Sequence, residues 1–232
     1  MFMNADEIKK TLCKLGTHLC GIASIDRFDG APEGFHPRDV LPSCKSVIVI
    51  AKCFPAGVLH CNTTVPYTVA RNMLADMLDK ISVQFCGIAE RHGILAVPTG
   101  TISHSQYDGK TDRWRSIVSA KHCAVAAGLG RIGRNTLLVT PEYGNMVWIS
   151  AILTDTVFSP DEMLEGDPCE EACSLCTDNC PVHALGDPAM NQNACSDYAF
   201  HTDEGEEFKF KCYRCRVICP NCLGSKNQKD SE

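Results

Sequence analysis

The sequence contains no apolar run approaching the roughly 18 residues that a membrane-spanning helix needs. Its first ten residues carry Asp6, Glu7, Lys9 and Lys10 where an export signal would have an apolar core. A cytoplasmic protein is expected, with no membrane partner. An excess of basic charge is missing too. The 22 lysines and arginines face 28 aspartates and glutamates, a net charge of -6, so no whole-chain basic stripe exists to neutralise phosphates, and nucleic acid is not an expected partner. There is no nucleophile elbow, no P-loop lysine and no zinc-protease helix motif, which leaves hydrolysis and phosphoryl transfer without support. What is present is a chain of 232 residues, 44% apolar and 22% charged, rich enough in apolar groups to offset its ordering entropy and build a core.

One residue type is abundant. Sixteen cysteines make up about 7% of the chain, and in a cytoplasmic setting they point to metal ligation before disulfides. Seven are scattered singly through residues 1–165 (Cys13, Cys20, Cys44, Cys53, Cys61, Cys86, Cys123) and nine cluster in residues 166–232. Charge divides at the same place. Residues 1–165 hold 16 acidic and 16 basic residues, and the tail holds 12 acidic against 6 basic. Two domains follow, an α/β domain over 1–165 and a cysteine-rich domain over 166–232, with the boundary near Ser159 to Asp167.

In the first domain the pattern alternates between helix and strand. Asn4 to Lys14 reads as an amphipathic helix with Asn4 as N-cap, Glu7 three residues later and a stop near Gly16. Leu19 to Ser24 and Ile94 to Val97 read as strands, and Ser46 to Ala51 as a strand buried on both faces. Tyr67 to His92 repeats apolar residues at three and four and stops at Gly93. Residues 99–114 read as a polar functional loop, Ser116 to Ala127 as an alanine-rich helix, and Leu137 to Thr140 and Met146 to Leu153 as two strands turning through Pro141 to Gly144. The fold class is α/β (α+β), a sheet with helices packed on it. The seven single cysteines read as small apolar packing residues, with Cys13, Cys86 and Cys123 on helix faces.

The tail reads Cys169-x3-Cys173-x2-Cys176-x3-Cys180-Pro, then Cys195, then Cys212-x2-Cys215-x3-Cys219-Pro-x-Cys222. Two runs end in Cys-Pro. In two-cluster ferredoxins the cysteine before proline ligates the other run's cluster. On that logic one 4Fe-4S cluster takes Cys169, Cys173, Cys176 and Cys219, and a second takes Cys180, Cys195, Cys212 and Cys215. Cys222 is left over, with Cys169 its rival because x3 replaces the usual x2. Two zinc sites or disulfides are the alternatives, although zinc ribbons use isolated Cys-x2-Cys pairs and have no use for paired Cys-Pro endings.

These residues resemble a family. Cys180-Pro-Val-His-Ala-Leu185 and Cys195-Ser-Asp-Tyr198 are similar to the double-cluster domain of the epoxyqueuosine reductase and reductive dehalogenase superfamily. So are Leu19-Cys-Gly-Ile-Ala23, Leu41 to Ile50, Lys121-His-Cys-Ala-Val-Ala-Ala-Gly-Leu-Gly-Arg-Ile-Gly-Arg-Asn-Thr-Leu-Leu138 and Thr140-Pro-Glu-Tyr-Gly144. The resemblance implies a nitroreductase-like mixed-sheet domain holding a corrinoid, followed by a ferredoxin-like two-cluster domain that feeds electrons to cobalt. It also implies a carboxylate proton donor some sixteen residues before Gly-Leu-Gly. Counting back from Gly128 lands near Trp114, where Asp112 is the nearest acid; Asp112 and Tyr107, in the same loop as His104, are the candidate catalytic residues, and a merely solvated loop is the alternative. The chain ends soon after the second cysteine run, without the helical repeats of the tRNA-acting members, so a substrate other than tRNA is expected.

Gly128-Leu-Gly130-Arg-Ile-Gly133 matches a dinucleotide fingerprint in form only, since a helix precedes it and a strand follows, the reverse of the required order. It reads either as a helix C-cap and tight turn or, as the resemblance implies, as a cofactor-binding segment. In the second case Gly128, Gly130 and Gly133 allow close approach, Lys121, Arg131 and Arg134 meet anionic groups, and His122 and Asn135 lie alongside. His122 reads first as a hydrogen-bonded structural histidine rather than a ligand. The expected function is an enzyme, an iron–sulfur oxidoreductase passing low-potential electrons from a donor such as ferredoxin or flavodoxin to a corrinoid (FMN as alternative) and a small-molecule substrate. A non-catalytic ferredoxin-like electron carrier that docks a redox partner is the rival.

Overall fold

The computed structural model of the chain describes residues 3–101, 105–109, 113–186, 190–200 and 209–226. Helix α1 (Ala5–Lys14) begins with a reciprocal cap. The Glu7 N–H donates to Asn4 Oδ1 at 3.0 Å and the Asn4 N–H donates to Glu7 Oε2 at 2.9 Å, satisfying two amides that a helix start leaves unpaired. Ile8 and Leu12, one turn apart, carry its buried face. Strand β1 (Leu19–Ser24) follows, then the single turn α2 (Pro37–Val40), strand β2 (Ser46–Cys53) and the long helix α3 (Val65–Arg91). Next come β3 (Ala96–Pro98), β4 (Ser105–Asp108), β5 (Arg113–Ser116) and α4 (Ala120–Ala126). The remainder is β6 (Arg131–Ile132), β7 (Leu138–Val139), β8 (Val147–Thr154), α5 (Leu175–Asp178), α6 (Gln192–Phe200) and α7 (Arg214–Val217).

Four strands form the main sheet in the order β1-β2-β8-β3. β1 runs antiparallel to β2, from Leu19 opposite Ala51 to Ser24 opposite Ser46, and β3 runs antiparallel to β8. Backbone bonds from Lys45 to Thr154 and from Phe54 to Met146, each 2.8 Å, bracket β2 against β8 in the same sense. Ser46 to Ala51 are buried at every position, as a β-branched run in a central strand should be. Ile8 and Leu12 of α1, Leu78 and Phe85 of α3, and Ile22, Ile48, Ile50 and Ile152 of the sheet belong to one apolar cluster. No helix among the described residues is long and apolar enough to cross a membrane.

The chain forms two compact units. One comprises Met1–Lys52, Leu74–Gly130 and Trp148–Glu165; the other comprises Cys53–Met73, Arg131–Val147 and Gly166–Glu232. Glu165 and Gly166 fall in different units, and two segments of earlier chain lie in the same unit as the tail. Aromatic packing accounts for one of them. Tyr67 stacks on Tyr213 at 4.1 Å between ring centroids and on Phe54 at 5.2 Å, and meets the edge of Phe210 at 5.8 Å.

Three local expectations change. Within the polar stretch 99–114, β4 pairs with β5 and sets Tyr107 opposite Trp114. The polar composition masked an aromatic cross-strand register. The alanine-rich helix begins at Ala120 rather than Ser116 because Ser116 completes β5. Leu138–Val139 pairs with Arg131–Ile132, not with β8, so the two strands expected to turn through Pro141 to Gly144 lie in different sheets.

Gly128 ends α4 as a left-handed cap. Its φ is +72°, its N–H donates to the Val125 carbonyl at 3.0 Å, and the Leu129 N–H donates to the Ala124 carbonyl at 2.9 Å. A Cβ there would overlap the Glu162 carbonyl. Gly93, after α3, has a similar φ of +75° with open space where a Cβ would go. Gly93→Ala is therefore expected to cost about 1–2 kcal/mol of backbone strain alone, and Gly128→Ala distinctly more. Urea midpoints of the two variants measure the difference, and equal losses would show that α4 yields freely beside Glu162.

Candidate metal centre

Cys169 and Cys173 lie in turns after Gly166, Cys176 on α5, Cys180 in the turn after it, and Cys195 on α6. Cys212 precedes α7, Cys215 lies on it and Cys219 follows it. Short helices α5 and α7 pack against each other. Each carries a cysteine at its second position and is followed by another four residues later, so the pair repeats one small device.

A cavity of about 230 Å³ has Cys169, Cys173, Cys176 and Cys219 in its wall. Burial raises the Cys176 thiol, and the neighbouring sulfurs of Cys169 and Cys219 raise it further by like-charge repulsion. Cys219 is raised by burial, then by Cys169 and Cys173, against the lowering effect of the Asn221 amide and the Asn145 side chain. The second set behaves alike. Cys195 is raised by burial, by Cys212 and by Cys180, and Cys215 is pushed up to about 11 by burial, with Cys195, Cys212 and Cys176 adding to it and Arg216 opposing. Cys180 differs. Burial acts to raise it, but the amides of Val182, Ala184, Leu185 and His183 outweigh burial and hold the thiol below its ordinary value. The Ala184 N–H donates to Cys180 Sγ at 3.2 Å, and His183 takes the left-handed φ of +48° that closes the turn after Pro181.

All 16 cysteines are free. Among the described residues no three cysteine, histidine or carboxylate side chains converge on a single ion. Four sulfurs in the wall of one cavity are a donor set suited to a thiolate-bound metal group.

The cysteine loops are held by residues from the earlier chain. The Arg134 N–H donates to Cys169 Sγ at 3.4 Å, while its guanidinium donates to the carbonyls of Glu171, at 2.7 Å, and Cys173. Gly133 is buried beside Cys169, whose Sγ would stand 3.5 Å from a Cβ at that position. Buried Asn135 donates to the Cys215 carbonyl at 3.2 Å. Thus Gly133, Arg134 and Asn135, expected beside an organic cofactor, serve the cysteine turns. Three residues passed unnoticed in the sequence. Asn145, buried at 1% exposure, donates to the Arg216 carbonyl at 3.2 Å and also bonds Cys219. Asn221 donates to the Pro168 carbonyl at 2.6 Å. Arg216 is buried within the second cysteine run, and its position there was the one available signal.

The other expected site residues are dispersed. Lys121, His122, Gly128 and Gly130 belong to the first unit, and Arg131 to the second. His122 is exposed with its Nδ1 2.6 Å from Ser119 Oγ, and partial desolvation followed by the charge of Lys121 holds its pKa below the ordinary value. Tyr107 is exposed on β4; His104 and Asp112 lie outside the described residues. Of the single cysteines, burial pushes Cys20 and Cys123 up to about 12 and Cys86 to about 11, as unreactive packing thiols require. Cys13, expected on an apolar face, is exposed.

No family model matches the chain. The epoxyqueuosine reductase of Listeria monocytogenes is 36% identical over 107 residues, covering 42% of this chain and 28% of that protein. The epoxyqueuosine reductase of Bacillus subtilis is 24% identical over 272 aligned positions, covering 94% of this chain and 64% of that protein. The chain thus spans less than two thirds of either relative. Among solved structures, an epoxyqueuosine reductase with an epoxyqueuosine-modified tRNA stem loop superposes with a TM-score of 0.65 at 23% identity, covering 94% of this chain and 64% of that one. A reductive dehalogenase whose structure suggests a mechanism for B12-dependent dehalogenation superposes with a TM-score of 0.66 at 18% identity, covering 93% and 31%. The α/β fold of the chain is that of the solved epoxyqueuosine reductases and reductive dehalogenases, and the chain is similar in sequence to the curated epoxyqueuosine reductases.

Proposed function

We propose that the chain is an iron–sulfur reductase in which Cys169, Cys173, Cys176 and Cys219 hold one 4Fe-4S cluster and Cys180, Cys195, Cys212 and Cys215 hold a second. The observation that carries this reading is the placement of Cys219, from the second run, in the wall of one cavity with Cys169, Cys173 and Cys176 of the first. Such clusters supply single electrons at low potential. The residues of this chain set that potential. Amides around Cys180 Sγ, the Arg134 N–H on Cys169 Sγ, and Asn145 beside Cys219 all place positive dipole ends on sulfur, which favours thiolate and eases acceptance of an electron.

The electrons would come from a ferredoxin or flavodoxin and pass to an organic cofactor, a corrinoid by analogy with the B12-dependent dehalogenase, or FMN. Lys121, only partly buried, is a cation suited to its anionic groups. Tyr107 and Asp112 are the candidates for delivering a proton to the substrate. A small molecule suits the site better than tRNA. The tail, with twice as many acids as bases, would repel a phosphate backbone. A second reading, an electron carrier with no organic cofactor, is favoured by one observation: Arg134 and Asn135 are already engaged by the cysteine loops.

Anaerobically purified protein is expected to contain about eight iron and eight sulfide per chain; zinc, or iron for a single cube, would overturn the two-cluster assignment. Cys219→Ser is expected to lower the iron content and Cys222→Ser to leave it unchanged, and the reverse result would exchange the roles of these two residues. Adding cobalamin or FMN to the purified protein and recording visible spectra separates the two functional readings. A stoichiometric spectral change supports the reductase, and two unaltered ligand spectra leave the electron carrier.

A further inference from the structure

Arg216 stands one residue beyond Cys215 on α7 and is 4% exposed, the one charged side chain among the buried polar groups of the described residues. Its guanidinium carbon lies 5.0 Å from the Phe54 ring centroid, and its Nη1 has no hydrogen-bond partner. No described carboxylate pairs with it; the ion pair among the described residues joins Lys9 to Asp161. A ring face attracts a cation but does not neutralise it, and a buried cation without an anion is an unstable arrangement. Its chain neighbour on α7 is Cys215, one of the four sulfurs assigned above to the second cube. The backbone is fixed as well, because Asn145 donates to the Arg216 carbonyl.

Resting on the two-cluster reading, we infer that Arg216 is the counter-charge of the cube held by Cys180, Cys195, Cys212 and Cys215, and that it holds the midpoint potential of that cube above the value it would have beside a neutral side chain. Reduction adds one electron to a group that its four thiolates already make negative. No bond breaks and no proton moves. A fixed positive charge nearby therefore stabilises the reduced form more than the oxidised form. Arg216 is in this sense a positioning charge that acts through the cube.

The test is a dithionite titration monitored by electron paramagnetic resonance on wild type, Arg216→Gln and Arg216→Lys, with iron measured in parallel. With iron retained, Arg216→Gln is expected to move one of two midpoints to more negative potential. At the wild-type midpoint the reduced-to-oxidised ratio of that cube should fall about tenfold, equivalent to about 59 mV for a one-electron couple. The other midpoint should stay in place, and Arg216→Lys should restore most of the shift. If Arg216→Gln loses one cube while Arg216→Lys keeps both near the wild-type midpoints, the charge is required to retain the cube and the inference stands. Unmoved midpoints in Arg216→Gln with full iron, or equal shifts in Gln and Lys, would overturn it. Wild-type protein with fewer than two cubes would overturn the underlying reading instead.

Discussion

Sulfur anions repel one another, and the cysteine-rich unit is organised around that repulsion. Burial and neighbouring sulfurs raise the thiols of Cys176, Cys195, Cys215 and Cys219, while backbone amides lower that of Cys180. Among the described residues no three such side chains converge on a single ion. The surrounding polar groups are placed accordingly. Amides curl round Cys180, Asn145 reaches Cys219, and Arg134 ties the loop that bears Cys169 and Cys173.

Much of this was legible in the chain, because the cysteine pattern and the apolar periodicity are local signals. The Cys-Pro endings at Cys180 and Cys219 mark the ends of α5 and α7, since proline cannot continue the preceding helix and the chain must turn there. The Asn4 cap, the buried run from Ser46 to Ala51 and the stop at Gly93 depend on neighbours a few residues away, and the structure carries all three. What escaped depends on distant partners. Nothing in Asn145 or Asn221 marks them as supports of cysteine turns 71 and 53 residues away. Strand β4 is too polar to stand out until Trp114 is set opposite Tyr107.

The segment from Gly128 to Asn135 serves two structural ends. Gly128 is a helix cap whose lack of a side chain admits the Glu162 carbonyl. Five residues on, Gly133 lies against Cys169 and the two polar residues that follow bind carbonyls of both cysteine runs. The glycines do permit a close approach, and the group approached by the last of them is a cysteine turn.

The unit that carries the cysteines also takes in Cys53–Met73 and Arg131–Val147. Phe54 and Tyr67 supply the aromatic floor beneath Tyr213 and Arg216, and Asn145 anchors the end of α7. The cysteine-rich tail is consequently not separable at residue 166. A gene shuffled at codon 166 would deliver a tail stripped of its foundations, so swapping this unit between relatives would demand three coordinated splices instead of one.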